Sequence, residues 1–493
     1  MALFGLLLSV HFVCASAVIG DRKQLTERSI TVYPQVLEAR DDGSEKVLIL
    51  HEGYRLHLRK ASILAGRLLL RDVTEDGVIE RYVDGAHYER HLYEDASKKA
   101  SLVLKPREHD DYFVTGLVNF THRIEPVMLR ERTSVTGTPH KIIQIDNLQG
   151  SCENDREIES EFHKVDEDER NSGLREAPPP EVEMRGAIPQ DFGVELHFIS
   201  DYNHSKHFEG RTDDHVMYVT LFMHSVSLRM DQLTPPVPIG ITKIQMTSTD
   251  NETYVKLWDN GDLIGNETLK KLNEVVRNDS NYQKSDVVYM ATGREMISLI
   301  PGGKSSYILG TAGDARACGD ERAAVGEDKP GKFSGVNTAA HEIGHMLGSP
   351  DDSPGAWGNC KTEDGYLMSK YANGKRAFTF SNCSKKAIAE FLTLDNSDCL
   401  KKKLNCQIVS FPNKAIKLPG HVMSGDAYCK LFYSGFAAAY FLELFAFLKK
   451  CMIPCLVEEK RTKKLRFLTT IAPDGTRCDY NNRHKVCKNT VCV

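Results

Sequence analysis

His341-Glu342-Ile343-Gly344-His345-Met346-Leu347-Gly348-Ser349-Pro350-Asp351 is the stretch from which the rest of this chain is read. On a helix, residues four apart lie one turn above one another, so His341 and His345 present two imidazoles to one ion from the same face. Glu342 falls beside that ion. Gly348, three residues past the second histidine, can take the left-handed conformation that ends a helix and turns the chain. That turn returns Asp351 to the metal as a third ligand, with Asp352 the weaker candidate for the place. The pattern points to a metal-dependent hydrolase. A carboxylate is an accepted zinc ligand, but its charge makes the ion a weaker Lewis acid, and its short side chain demands a close backbone approach.

The extended pattern HExxHxxGxx with a third ligand resembles the metzincin zinc endopeptidases, whose usual third ligand is histidine where this chain has Asp351. Gly365-Tyr366-Leu367-Met368-Ser369, with Met368 seventeen residues after Asp351, resembles the turn that carries a methionine beneath the zinc in that group. Val336-Asn337-Thr338-Ala339-Ala340, leading into the motif, is similar to the reprolysin (adamalysin, ADAM-like) branch, and within it to the salivary metalloproteases of ticks. The likeness covers roughly residues 190 to 493. It implies one catalytic zinc on His341, His345 and Asp351, with Glu342 as general base, and it leaves room for a structural calcium ion. It also implies a mixed α/β catalytic domain in which the zinc helix floors a cleft. An edge strand, for which Ile308 to Ala312 is the candidate, pairs there with extended substrate. Disulfides Cys318–Cys399 and Cys360–Cys383 are implied by the same resemblance.

Composition agrees with a secreted protein. An apolar run from Leu3 to Val13 precedes Ala15-Ser16-Ala17, a small-residue site for signal peptidase, although no Lys or Arg precedes the run. Of thirteen cysteines, eleven fall between Cys318 and Cys492, which predicts a disulfide-bonded C-terminal half. Asn119, Asn203, Asn251, Asn266, Asn278 and Asn382 are glycosylation acceptors by sequence, Asn382 less clearly because Cys383 lies inside its motif. The formal charge of -5 comes with no basic run suited to nucleic acid.

Changes in composition divide the chain into residues 1–17, a leader; 18–185, a β-rich block read as a propeptide; 186–400, the catalytic domain; and 401–493, a small cysteine-rich module. The first block shows strand-like stretches such as Lys46 to Leu50. It ends in an acidic stretch, twelve acidic against four basic residues from Glu153 to Glu183, interrupted by Pro178-Pro179-Pro180. That composition suits an exposed, cleavable linker, with a mature start near Arg175 or Arg185. Cys152 either holds the zinc in a latent form until the propeptide leaves or pairs with another cysteine.

Within the catalytic block, Val219, Phe222, Met223, Val226 and Met230 mark one helical face and Leu269, Leu272 and Val276 another, while Val287 to Ala291 suits a buried strand. His204 and His207 have no ligand spacing and are expected at the surface. After residue 400, seven cysteines indicate a loop-rich module that holds a partner or caps the fold. The apolar run 431–448 carries Glu443 near its centre, and crossing a membrane would place five cysteines in a reducing compartment, so a buried segment is expected rather than an anchor. The sequence therefore predicts a secreted zinc endopeptidase acting on extracellular or host proteins. The alternative is a catalytically silent zinc-binding protein whose cysteine-rich module binds a partner.

Overall fold

In the computed structural model, uninterrupted apolar stretches become the parallel strands of a central sheet. Val287–Thr292 is buried along its whole length, as a strand covered on both faces must be. It pairs in parallel with Val194–Ser200 on one side and Ala323–Glu327 on the other. The full order is Gly310–Ala312, Ala323–Glu327, Val287–Thr292, Val194–Ser200, Ile239–Thr247, Leu64–Thr74, Gly77–Asp84. Gly310–Ala312 runs antiparallel to its neighbour and forms one edge. The described residues are 29–145, 193–401, 404 and 424–493, apart from 39–44, 52–53, 108–110, 128–136, 301–303, 371, 434–435, 461, 473–474, 481, 483 and 489–490. The leader, Cys152, Arg175, Arg185 and Cys406 lie outside them.

The last two strands of that sheet come from the first sequence block. Leu64–Thr74 pairs in parallel with Ile239–Thr247 and turns back antiparallel into Gly77–Asp84. The remaining strands of the block, including Glu45–His51 where alternation predicted one, form a nine-stranded antiparallel sheet over a core of Leu48, Leu56, Leu102, Val114 and Ile124.

The helix Thr212–Met230 is buried on nearly all sides, not on the single face its periodicity suggested. Its second face meets the first block. Gly116, at φ +134°, leaves room there that a side chain would fill, since an added Cβ would come within 3.0 Å of Leu221. The helix Gly265–Asn278 keeps the expected pattern, burying Leu272 and Val276.

Val336–Met346 carries the histidine motif and buries Ala339, Ala340, Ile343 and Met346. It ends as expected at Gly348, whose φ is +92°. An added Cβ there would lie 2.7 Å from Cβ of Phe391, so both backbone conformation and packing demand glycine. Cys318–Cys399 and Cys360–Cys383 are both formed and clasp this region. After residue 424, Cys429–Cys455, Cys451–Cys487 and Cys478–Cys492 staple a three-stranded antiparallel sheet. The run 431–448 is broken among the helix Gly425–Phe432, the strand Ala438–Phe441 and the helix Phe445–Leu448. No helix of the described residues is long and apolar enough to cross a membrane.

Gly348→Ala is expected to destabilise the protein by roughly 2 kcal/mol or more, because strain at positive φ adds to the clash with Phe391. Denaturant unfolding of the two proteins measures this, and an unchanged midpoint would show that the turn is not constrained in this way.

Candidate metal centre

The helical spacing brings the two imidazoles together: Nε2 of His341 lies 3.0 Å from Nε2 of His345. Past the Gly348 turn, Oδ1 of Asp351 lies 3.4 Å from the first nitrogen and 3.6 Å from the second. These three donors form one cluster, each within 4.8 Å of the others. Asp352 does not compete for the place. It is buried, and its carboxylate accepts hydrogen bonds from Ser381 at 2.5 Å and Ser384 at 3.1 Å, with Ser369 at 3.5 Å.

The hydrogen bonds on the far side of each ring settle the chemistry. Nδ1 of His341 donates to the carbonyl of Leu367 at 2.8 Å, and Nδ1 of His345 donates to the carbonyl of Ser349 at 2.8 Å. A carbonyl only accepts, so each neutral ring carries its proton on Nδ1 and turns a lone pair inward. With both rings neutral, two such lone pairs and a carboxylate oxygen face one another, an arrangement that calls for a cation, either a metal ion or a proton. Tetrahedral zinc at 2.0–2.1 Å from its ligands sets neighbouring donors about 3.3 Å apart, which is the spacing present. His341, His345 and Asp351 therefore fit a zinc ion.

Glu342 is 5% exposed and projects beside the cluster. It reaches the sheet edge at Gly310, where an added Cβ would lie 2.5 Å from its Oε1. Burial pushes its carboxyl pKa up, against the two histidines, which pull it down. The acid is thereby brought nearer to neutrality, where a general base works best. Gly310–Ala312 is an edge strand as expected, while Ile308 closes the preceding strand Lys304–Ile308.

Met368 is fully buried beneath the motif helix, so that a Cβ on Gly344 would come within 2.6 Å of its sulfur. The same turn supplies the Leu367 carbonyl, and through it the methionine segment orients His341. At the start of the helix, Asn337 accepts a hydrogen bond from the fully buried Arg229 at 2.9 Å and donates to the carbonyl of Ala377 at 2.8 Å.

Sequence reasoning missed Asp314, whose Oδ1 lies 3.0 Å from Nδ1 of His345; it is remote in the chain and belongs to no motif. The surface reading of His204 is corrected as well. It is fully buried, with Nε2 3.0 Å from Asp328 and Nδ1 3.1 Å from Ser200, because the helix Tyr202–Lys206 turns it under the sheet. His207 is exposed as expected.

Residues 253–403 match the model of the reprolysin (M12B) family of zinc metalloproteases. A venom metalloproteinase of Olivierus martensii is 26% identical over 400 residues, covering 78% of this chain and 93% of that protein. The venom metalloproteinase antarease of Tityus serrulatus is 24% identical over 403 residues, covering 75% and 92%. A protein of Bombyx mori described as like a disintegrin and metalloproteinase with thrombospondin motifs is 36% identical over 116 residues, 22% of this chain and 16% of that one.

Chelation would leave the cluster to bind a proton instead. Burial opposes a charged His345, but its hydrogen bond to Asp314 and the carboxylates of Glu342 and Asp351 outweigh it and raise its pKa to about 9. A raised imidazole pKa contributes stability that is complete below about 6.5 and fades as pH rises through the folded value. The chelated protein is expected to lose thermal stability between about pH 6.5 and 9, more steeply than the zinc-loaded protein. Parallel pH profiles for the two forms would rule out this competition between proton and metal. With the motif, the donor geometry and the relatives in agreement, residues 253–403 carry a reprolysin-type (M12B) zinc metalloprotease domain.

Proposed function

We propose that this protein is a secreted endopeptidase that hydrolyses extracellular or host proteins at a single zinc held by His341, His345 and Asp351, with Glu342 as general base. The observation that carries this reading is the inward convergence of two imidazole nitrogens and a carboxylate oxygen, each imidazole being fixed from behind by a backbone carbonyl. When bound, zinc supplies Lewis acidity, lowering the pKa of water and polarising the scissile carbonyl. Glu342 takes the proton of the attacking water and passes it to the leaving amine, and its raised pKa suits both steps. The edge Gly310–Ala312 offers backbone hydrogen-bonding groups to an extended peptide and so aligns the substrate past Glu342. Because Gly310 lies against Glu342, the substrate backbone runs close to the base.

The wider reading is a glycosylated zymogen. Residues 1–17 direct secretion, the chain is cut in the acidic stretch after the block 18–185, residues 186–400 catalyse, and 401–493 form a cysteine-rich domain. Exposure of Asn251, Asn266, Asn278 and Asn382 supports glycosylation, and five disulfides among the described residues support an oxidising compartment. The venom proteinases among the relatives support an extracellular substrate. A structural calcium ion belongs to the same reading.

Glu342→Ala is expected to retain zinc and lose about 100-fold or more of its activity on a denatured protein substrate. Asp351→Ala is expected to lose zinc and activity together. Metal content measured beside proteolysis separates the two. A zinc-loaded wild type that cleaves nothing across a broad panel would replace this reading with a silent protein that binds a partner through residues 401–493.

A further inference from the structure

The first block is built into the catalytic fold. Leu64–Thr74 continues the parallel ladder from Ile241 opposite Leu64 to Thr247 opposite Val73. Ile241 N donates to the Ile63 carbonyl, and Ser248 N to the Val73 carbonyl, both at 2.8 Å. Ile63, Leu64, Leu68, Leu70, Leu92 and Leu117 share one continuous hydrophobic core with Val194, Leu221, Phe222 and Ile241. Without them, the strand Ile239–Thr247 would become an open apolar edge and the helix Thr212–Met230 would lose the cover of one face.

Polar contacts tie the same interface. His224 on that helix is buried, with Nε2 3.0 Å from Glu94 and Nδ1 2.8 Å from Ser101. Arg229, which holds Asn337 at the start of the motif helix, lies with its guanidinium 4.2 Å from the ring centre of Phe120. On its other side the block reaches the C-terminal module, where Arg55 donates to the Ile471 carbonyl at 3.0 Å and to Thr470 at 3.2 Å, over the rings of Tyr428 and Phe432. The interface occupies the end of the sheet opposite Gly310–Ala312, the edge beside Glu342.

We propose that residues 29–145 form a retained subunit: after the chain is cut in the acidic stretch, the two pieces stay together as a non-covalent two-chain enzyme. The inference rests on the reading of that stretch as a cleavable linker. The block completes the catalytic sheet at its far end, and its departure would expose the apolar surface it covers. Loss of a covalent bond in the linker breaks none of the contacts named.

The test uses the full chain with a specific protease site inserted between Gly173 and Leu174, in a Cys152→Ser background so that no disulfide through Cys152 can hold the pieces. After complete cutting, confirmed on a denaturing gel, gel filtration is expected to return both pieces in one peak at the uncut position. Separate peaks would overturn the proposal. Leu68→Asp in the same background is expected to raise the freed fraction about tenfold or more, because it places a carboxylate in the shared core. Should that variant fail to fold, dilution of the cut parent decides: a dissociation constant below about 1 µM upholds the retained subunit and a weaker one overturns it. Because the cut is engineered, the result does not depend on natural processing. If N-terminal sequencing of the secreted protein finds no natural cut, the zymogen reading fails while the association stands or falls on its own data.

Discussion

Two imidazole protons, each held by a backbone carbonyl, set the character of the centre. Because Leu367 and Ser349 accept from Nδ1 of His341 and His345, both Nε2 lone pairs point inward. The surrounding structure serves to keep those two carbonyls in place. The Leu367 carbonyl rides on the turn whose Met368 fills the space under Gly344. The Ser349 carbonyl lies just beyond Gly348, whose positive φ and contact with Phe391 permit no side chain. Asp352 anchors the same loop through three serine hydroxyls, and the Cys360–Cys383 disulfide ties the following loop to the helix Asn382–Phe391.

Asp351 gives this centre a different electrostatic balance from one with three histidines. A third neutral ligand would leave the full charge of the ion to act on water, whereas a carboxylate offsets part of it. Glu342 and Asp314 add further negative charge nearby, the first buried at the sheet edge and the second behind His345. These carboxylates favour cation capture as well as protonation of His345, so in this site metal and proton compete for the same electrostatic well.

Much of this was legible in the sequence because it is local. Helical periodicity alone puts His341 above His345, and one glycine explains how Asp351 returns. The apolar run Val287 to Ala291 was readable as a buried strand, which the structure extends to Thr292, and the cysteine pairs implied by resemblance in the catalytic region are both formed. What the sequence did not reveal depends on contacts between distant segments. Leu64–Thr74 reads as an ordinary strand of the first block, and nothing local says that its partner lies beyond residue 239. For the same reason Thr212–Met230 looked amphipathic, although a second layer covers its other face. Asp314 and His204 acquire their partners only through the fold.

Anomalous diffraction at the zinc absorption edge, from crystals of the protein purified without added metal, would locate the ion that these donors are built to hold. A single peak is expected about 2.1 Å from Nε2 of His341, Nε2 of His345 and a carboxylate oxygen of Asp351, with Asp352 still bound to its serines. A peak ligated by Asp352, or a cluster with no ion whose imidazoles have turned away from each other, would contradict the metal centre described above.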